Sequence, residues 1–277
     1  MIKFNGIEVA FSRFPNGETK IDETSLTLLA GMKQVIEFKY EDDSDLIKLM
    51  FLKKYLDTSK IEVDELVIYY MPYSRMDRSE NNSPFTLKYV AEFINALNFK
   101  QVTIIEPHSD VTNAVIDNVK PLYINYDLLP KVMEMTDFDE FVDYIVFPDD
   151  GASKRYKNMV DVCTLVGRKQ RNFKTGKITS LELTGVNNGK GKKAIIVDDL
   201  SSYGGTFIMT AEELKQKFNV EEVYLLVAHA ENSIFKGDLF KYVDKIFTTD
   251  SILTEQEHWD NKKYENQLHL FKIGEEL

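Results

Sequence analysis

The most informative segment of the chain is IIVDDLSSYGGT, residues 195–206. Its apolar start, Ile195–Val197, is typical of a buried strand. Two adjacent acids follow, Asp198 and Asp199, and a glycine pair ending at Thr206 then leads into a helix. Glycines let backbone N–H groups approach a phosphate, and a helix N-terminus adds positive potential. The segment predicts an anion-binding turn beside carboxylates that accept hydrogen bonds from sugar hydroxyls or hold a metal; a solvated turn that caps the helix is the alternative.

Short β-rich runs alternate with helical periodicity on both sides of this segment. Strands are predicted at Leu66–Met71, Val102–Ile105, Tyr144–Phe147, Lys193–Val197, Val223–Val227 and Lys245–Phe247. Between the first two of these, one helix face is predicted to carry Tyr89, Val90, Phe93, Ile94 and Leu97. Strand–helix–strand units of this kind build parallel sheets, so the predicted fold class is α/β.

The pattern divides the chain into two α/β halves. We expect an N-terminal domain over residues 1–135 and a C-terminal domain over residues 136–277, with about the last 20 residues packing back on the N-terminal domain. Ligands of open α/β sheets bind beyond the carboxyl ends of the strands, and the acids and glycines of this chain fall at such ends. The polar, basic stretch Gln170–Lys177 is predicted to be a mobile loop.

Composition excludes several classes of function. The net charge of −11 repels nucleic acid and anionic membranes, and no segment is apolar over the length of a membrane span. The N-terminus lacks the pattern of a signal peptide, and the single cysteine, Cys163, cannot form an intrachain disulfide. We therefore expect a cytoplasmic protein that binds neither nucleic acid nor membranes.

Residues 195–206 resemble the ribose-5-phosphate-binding motif of type I phosphoribosyltransferases and of ribose-phosphate diphosphokinases, also called PRPP synthetases. Further segments resemble motifs of the diphosphokinases and occur in the order of that family. They are FPNGE (14–18, adenine site), MPYSRMDR (71–78, ATP site), IEPHS (105–109, metal site), VIDN (115–118), PDDGASKR (148–155, pyrophosphate loop) and KQR (169–171, catalytic loop). The chain is therefore identified as a member of the ribose-phosphate diphosphokinase family.

This resemblance implies a fold and a reaction. The fold would comprise two phosphoribosyltransferase-like domains, each with a mainly parallel sheet flanked by helices. The reaction would be the Mg²⁺-dependent transfer of diphosphate from ATP to the anomeric hydroxyl of ribose 5-phosphate, with release of AMP. Members of the family also self-associate, so a dimer or hexamer is expected.

The resemblance also implies roles for individual residues. Six residues would bind ATP: Phe14, Asn16, Glu18, Arg75, Asp77 and Arg78. The first three would reach the base from a neighbouring subunit. The metal ligands would be His108 and Asp149, and the catalytic residues Lys169, Arg171 and His108. The pyrophosphate loop would comprise Asp149, Asp150 and Gly151. The groups that bind ribose and its phosphate would be Asp198, Asp199, Ser201, Ser202, Tyr203, Gly204, Gly205 and Thr206.

The chain departs from the family pattern in three places. Ser202 and Tyr203 replace an Asp and a Thr of the sugar-phosphate loop, Met76 replaces a Gln, and Ala152 replaces a Gly. An aromatic ring beside the 5-phosphate could stack on a group attached to that phosphate. Some phage-type relatives of PRPP synthetases act on ADP-ribose, making ADP-ribose 1-diphosphate for the rebuilding of NAD⁺. Ribose 5-phosphate and ADP-ribose both stay open as acceptors, and a phage-encoded protein would act in the host cytoplasm.

Two other functions compete with the diphosphokinase. A phosphoribosyltransferase would consume PRPP instead of making it, and the ATP motif around Arg75 argues against this function. A regulatory homologue would bind nucleotides without turnover. The presence of Lys169 and Arg171 argues against that second alternative, because a non-catalytic protein has little need of this pair.

Overall fold

The computed structural model describes residues 1–22, 26, 31–80, 83–156, 158–159, 162–171, 178–253 and 261–276. The chain forms two compact units, Met1–Tyr123 and Ile124–Leu277. The first unit ends before the predicted boundary at residue 135 because the intervening helix, Asn125–Met135, packs on a strand of the second sheet.

The first unit is built on a mainly parallel sheet. Its strands are β1 (Ile2–Phe4), β2 (Ile7–Glu8), β3 (Phe11–Arg13), β4 (Thr19–Ile21), β5 (Val35–Phe38), β6 (Glu65–Ile68), β7 (Val102–Ile105) and β8 (Val119–Leu122). Its helices are α1 (Ser44–Thr58), α2 (Thr86–Asn95) and α3 (Asp110–Val115). The sheet order is β2-β1-β5-β6-β7-β8, in which β5 to β8 run parallel, and β3 and β4 form a separate hairpin. The parallel strands are added in chain order and in one direction.

Helix α2 presents most of the predicted face to the core: Val90 and Ile94, with Leu97 just beyond the end of the helix, are buried. Its buried residues follow the spacing of one helix stripe and are Leu87, Val90, Ala91 and Ile94. Tyr89, expected on that face, has 58% of its surface exposed. Tyr89 and Val90 are adjacent and cannot both lie on one buried stripe, and the stripe that packs on the core includes Leu87 instead of Tyr89.

The second unit contains a longer sheet, also mainly parallel. Its strands are β9 (Tyr144–Phe147), β10 (Thr164–Arg171), β11 (Ile178–Gly185), β12 (Lys193–Ser201), β13 (Glu222–Ala230), β14 (Lys245–Thr249) and β15 (Leu268–Phe271). Its helices are α4 (Asn125–Met135), α5 (Asp150–Tyr156), α6 (Gly205–Lys217), α7 (Leu239–Tyr242), α8 (Asn261–Tyr264), α9 (Ile273–Glu276) and the 3₁₀ helix Asn232–Lys236. The order is β11-β10-β9-β12-β13-β14-β15, and β11 runs antiparallel to its neighbour β10.

The winding of this second sheet reverses between β9 and β12. From β9 the chain moves outward to β10, and it later returns to place β12 on the other side of β9. The connections after the two strands therefore diverge and leave a crevice at their carboxyl ends, the usual ligand site of open α/β sheets. Asp149 follows β9, and Asp198 lies near the end of β12.

The predicted α/β class is confirmed, and each predicted strand forms at the expected place. Two details differ from expectation. Gln170 and Arg171 belong to β10 instead of a loop, and the C-terminal residues 268–271 form the edge strand of the second sheet. Helices with both the length and the apolar character of a membrane span are absent from the described ranges.

Candidate substrate-binding sites

The two adjacent aspartates of β12 have different electrostatic surroundings. Asp199 is buried and pairs with Arg155 of α5, with 3.3 Å between the Nη1 and Oδ1 atoms. Asp198 accepts a hydrogen bond of 2.9 Å from the backbone N–H of Asp199. Burial raises the pKa of Asp198 well above its usual value, and the negative charges of Asp199 and Asp149 add to the rise. A ligand that offers hydroxyl hydrogens or positive charge to Asp198 would therefore be stabilised.

The glycine pair after β12 combines a tight turn with open space. Gly204 has a left-handed φ of +78°, and a Cβ at this residue would lie 2.7 Å from a methyl group of Leu239. A Cβ on Gly205, the first residue of α6, would contact nothing within 4 Å. The helix has no side-chain cap, so its first backbone N–H groups have no capping side chain as a hydrogen-bond acceptor. The turn is thus shaped as a cradle for an anion.

The side chains of the same loop divide into buried and exposed ones. Ser201 is fully buried, and the Ser202 hydroxyl lies 3.0 Å from the hydroxyl of Ser233, which donates to Glu231 at 3.2 Å. Tyr203 has 60% of its surface exposed. Thr206 lies partly buried in the first turn of α6. The loop therefore offers an exposed aromatic ring next to the glycine cradle.

The predicted pyrophosphate loop is the turn from β9 into α5. The Oδ1 atom of Asp149 accepts a hydrogen bond of 3.0 Å from the backbone N–H of Ala152, so Asp149 caps the helix. Asp150 is exposed, and a Cβ at Gly151 would lie 3.2 Å from the Asp149 carboxylate. Ala152 has only 2% of its surface exposed, so this departure from the family adds no bulk to the open side of the loop.

Sequence reasoning missed residues that support this crevice. Asn125 is fully buried, and its side-chain amide donates to the carbonyl of Asp198 at 2.8 Å and to the Tyr156 hydroxyl at 3.1 Å. Arg155 pairs with Asp199 and lies over the ring of Tyr156 at 5.6 Å. Arg155 could have been found, because it is the last residue of the predicted pyrophosphate segment 148–155, although no role was predicted for it. Asn125 gives no such signal, since a helix-starting asparagine is common.

In the first unit, the predicted ATP-site loop follows β6. Tyr73 has a left-handed φ of +62°, and its hydroxyl donates a hydrogen bond to Asp43. Arg75 and Arg78 are exposed, whereas Asp77 is buried and accepts a hydrogen bond of 3.0 Å from Arg78. The two arginines of this loop are thus exposed, whereas its aspartate is buried.

The metal-site segment after β7 adjoins this loop. Burial raises the pKa of Asp77, but hydrogen bonds from Ser109 and Arg78 and the nearby charge of His108 outweigh it, so the pKa is lowered overall. Glu106 has only 1% of its surface exposed, and its φ is +43°. Bulky residues rarely adopt this conformation, and such strain concentrates at functional sites. The structure therefore brings together the predicted residues Asp77, Arg78 and His108.

The predicted adenine-site motif is the exposed tip of the β3–β4 hairpin. Phe14 has 52% of its surface exposed, and Asn16 and Glu18 are exposed as well. The turn closes through a hydrogen bond of 2.8 Å from the Gly17 N–H to the Phe14 carbonyl. Arg13 ties the hairpin to α1 by a 2.9 Å hydrogen bond to Ser44. An exposed tip is available to a neighbouring molecule, but its contact with a base stays a prediction.

The predicted catalytic residues Lys169 and Arg171 lie on β10, and their side chains are outside the described part of the structure. Their backbones pair with Leu181 and Ile178 of β11, with a bulge between Gln170 and Arg171. Strand β10 pairs with β9 only through Thr164–Val166, so the rest of the hairpin projects beyond the parallel sheet. At Gly167, where it leaves the sheet, a Cβ would lie 2.5 Å from the carbonyl oxygen of Pro148.

A preformed metal centre is not found among the described residues. Within those ranges, no three or more His, Cys, Asp or Glu side chains are grouped closely enough to hold a metal ion. His108 belongs to the first unit and Asp149 to the second, and each is described in its own unit. The predicted metal ligands therefore stay a prediction.

Curated relatives match most of this chain. The ribose-phosphate pyrophosphokinase of Pyrococcus furiosus is 29% identical over 258 residues, which cover 89% of this chain and 86% of the relative. The ribose-phosphate pyrophosphokinase of Thermococcus kodakarensis is 27% identical over 266 residues, which cover 90% and 87%. Over about nine-tenths of its length the chain is thus similar to ribose-phosphate pyrophosphokinases, as its motifs predicted.

A solved structure shares the fold of this chain. The crystal structure of phosphoribosylpyrophosphate synthetase from Mycobacterium smegmatis matches with a TM-score of 0.75 at 17% identity and covers 97% of this chain and 87% of its own. A search of family models gave no match. The predicted resemblance to this family, the transferase class that it implies and the α/β fold with two sheets are thus confirmed, while the roles of individual residues stay predictions.

Proposed function

We propose that this chain transfers the diphosphate group of ATP to the anomeric hydroxyl of a ribose 5-phosphate moiety. The observation that carries the proposal is the crevice between β9 and β12. There, Asp198 and Asp199 lie next to an open glycine cradle at the start of α6. A sugar phosphate matches both halves of this arrangement, since its hydroxyls donate to carboxylates and its phosphate accepts from backbone N–H groups.

The reaction forms one bond and breaks one. The anomeric oxygen attacks the β-phosphorus of ATP, the bond from that phosphorus to the oxygen bridging the α-phosphate breaks, and AMP leaves. The hydroxyl proton passes to solvent or to a nearby base. Such transfer depends on positioning and on neutralising charge more than on covalent chemistry. Asp198, Asp199 and the Gly205 amide would position the acceptor, Arg75 would bind the ATP phosphates, and Lys169 with Arg171 would offset charge on the transferred group.

The residues present also fit Mg²⁺ as a cofactor. The negative charges of Asp149 and Asp199 disfavour ionisation of Asp198, and a divalent cation would relieve this repulsion. Mg²⁺ keeps several waters and is bound through one or two carboxylates plus substrate phosphates, so a set of fewer than three protein ligands suits it. We propose Asp149 and His108 as ligands, with Mg²⁺ supplying charge neutralisation to the ATP phosphates.

ADP-ribose is a second candidate acceptor, and Tyr203 favours it. Its ring is 60% exposed beside the glycine cradle, where family members carry a small hydroxyl residue. A group attached to the 5-phosphate would meet this ring, and aromatic stacking on a nucleobase contributes roughly 1–3 kcal/mol. The chemistry at the anomeric carbon would be the same and would yield ADP-ribose 1-diphosphate for NAD⁺ salvage.

The decisive experiment offers each acceptor separately with ATP and Mg²⁺ and measures AMP release. AMP formed with ribose 5-phosphate but not ADP-ribose would support PRPP synthesis, and the opposite result would support the second candidate. ATP binding without AMP release for either acceptor would favour a non-catalytic regulatory homologue. Consumption of PRPP with a nucleobase would favour a phosphoribosyltransferase. The cytoplasmic location and self-association stay predictions.

A further inference from the structure

A cluster of two tyrosines and one carboxylate connects the predicted ATP-site loop, which contains Tyr73, to residues outside every predicted motif. The Tyr40 hydroxyl donates to the Oδ1 atom of Asp43 at 2.6 Å, and the Tyr73 hydroxyl donates to the same oxygen. The two rings meet edge to face, with 6.4 Å between their centroids. Asp43 precedes α1, and Tyr73 follows β6, so the cluster links two elements that are 30 residues apart in the chain.

The carboxylate of Asp43 is committed to this cluster. Although it stands at the cap position of α1, its side chain makes no capping hydrogen bond to that helix. Asp42 has the capping role instead, since its Oδ1 atom accepts a 2.7 Å hydrogen bond from the Ser44 N–H. Hydrogen bonds from Tyr40 and Tyr73 lower the pKa of Asp43. Asp43 is therefore an ionised acceptor at neutral pH, and charged acceptors form stronger hydrogen bonds than neutral ones.

The link matters because Tyr73 has a strained backbone. A φ of +62° is unfavourable for a bulky side chain and persists only where the surroundings enforce it. Two backbone hydrogen bonds close the turn, from Ser74 N–H to the Met71 carbonyl at 3.3 Å and from Met76 N–H to the Tyr73 carbonyl at 2.9 Å. The Tyr73 hydroxyl adds a tether to α1. This tether fixes the direction in which the chain continues to the exposed Arg75.

We propose that Asp43 is a positioning residue: it holds Tyr73 in the left-handed conformation and thereby orients Arg75 for the ATP phosphates. The role of Arg75 rests on the proposed function, whereas the tether itself does not. Removal of the Asp43 carboxylate should loosen the loop and weaken ATP binding. The acceptor should be unaffected, because the groups proposed to bind it lie on the second sheet.

The test compares Asp43→Ala with Asp42→Ala, a matched control that removes the same charge one residue earlier. Calorimetry with a non-hydrolysable ATP analogue and Mg²⁺ should show affinity reduced about tenfold in Asp43→Ala and in Tyr73→Phe. KM for the acceptor should change less than about twofold in both. Asp42→Ala, which loses a helix cap, should lower Tm and leave ATP affinity near that of the wild type. Equal ATP affinity in Asp43→Ala and wild type, or equal losses in Asp43→Ala and Asp42→Ala, would overturn the proposal.

Amide hydrogen exchange separates this inference from the proposed function. The Ser74 and Met76 amides should exchange faster in Asp43→Ala and Tyr73→Phe, while those of β6 and β7 stay protected. Unchanged exchange in the loop would refute the tether whatever the enzyme does. Faster exchange in a protein whose wild type does not bind ATP would retain the tether, reject the orientation of Arg75 for ATP, and count against the proposed function.

Discussion

The two units hold their loops in place in different ways. In the second unit, the reversal of winding between β9 and β12 opens a crevice, and the turn into α6 needs a left-handed residue only at a glycine, Gly204. In the first unit, the parallel strands follow one another in chain order, and in the loops after β6 and β7 left-handed conformations fall on bulky residues, Tyr73 and Glu106. Topology shapes the loops of the second unit, whereas side-chain contacts and strain shape those of the first.

This difference suggests how tolerant each unit is to substitution. A crevice created by strand order survives the loss of single side chains, so substitutions there should alter chemistry or charge more than geometry. A loop held by a tyrosine–carboxylate contact depends on individual atoms, so substitutions there should alter geometry first. Substitutions in the β10–β11 hairpin, the glycine cradle and the paired aspartates test this distinction on the second unit, and Asp43→Ala tests it on the first.

The largest effect is expected at the projecting hairpin of the second unit. Lys169→Ala or Arg171→Ala should lower kcat by ~10²–10⁴-fold and change substrate binding far less, because these charges act on the transferred group in the transition state. Steady-state kinetics with ATP and the preferred acceptor measure this. Arg168→Ala, an exposed neighbour on the same strand, serves as the control and should keep kcat within about twofold. Near-normal kcat in both test variants would refute the catalytic assignment.

A smaller effect is expected at the glycine cradle, where two adjacent residues should respond differently. Gly205→Ala places a methyl group in open space, so Tm should hold or rise slightly while KM for the acceptor rises about tenfold. Gly204→Ala forces a left-handed alanine against Leu239 and should cost roughly 1–3 kcal/mol of stability. Thermal melts and acceptor KM together check the pair. If Gly205→Ala keeps the wild-type KM, the cradle does not bind the sugar phosphate.

The smallest expected effect is a shift of Tm with opposite sign at the two aspartates. Asp198→Asn keeps an acceptor oxygen and removes a charge that the fold disfavours, so Tm should rise by a few degrees at pH 7. Asp199→Asn leaves the partly buried Arg155 without its charged partner and should lower Tm. Both variants should lose activity if these acids bind the ribose hydroxyls.

The pH dependence of the Asp198→Asn shift follows from linkage. A carboxyl whose pKa is raised by folding destabilises the folded state once it ionises, and it has no effect when it is protonated in both states. The gain in Tm should therefore shrink as pH falls toward about 4, the usual pKa of an aspartate. A gain that stays constant from pH 7 to pH 4 would show that the charge of Asp198 is not its cause.

Much of the fold could be predicted because apolar runs bounded by polar residues define its strands. Val102–Ile105 and Tyr144–Phe147 form strands with the predicted bounds. Strand β12 extends to Ser201 instead of ending at Val197, since Asp198 and its successors stay paired with β13 despite their polarity. Polarity marks where a strand leaves the core, whereas hydrogen bonding to a neighbour determines where it ends.

Contacts between distant segments were beyond prediction. The motifs located the loops that carry Asp77, His108 and Asp198, but periodicity contains no information about which side chains meet across elements. The pairing of Arg155 with Asp199 and the tether from Tyr73 to Asp43 both depend on how helices pack on their sheets. These supporting residues emerge only from the folded structure.

The β10–β11 hairpin leaves the parallel sheet but stays attached to the core. Beyond Val166, β10 no longer pairs with β9, and the five residues from Gly167 to Arg171 span ~13 Å. Along this stretch Leu181 and Leu183 of β11 are buried in the core cluster that includes α6. Because Leu181 lies opposite Lys169, the core restrains the hairpin up to this pair, and only the residues beyond it can shift without disturbing the core.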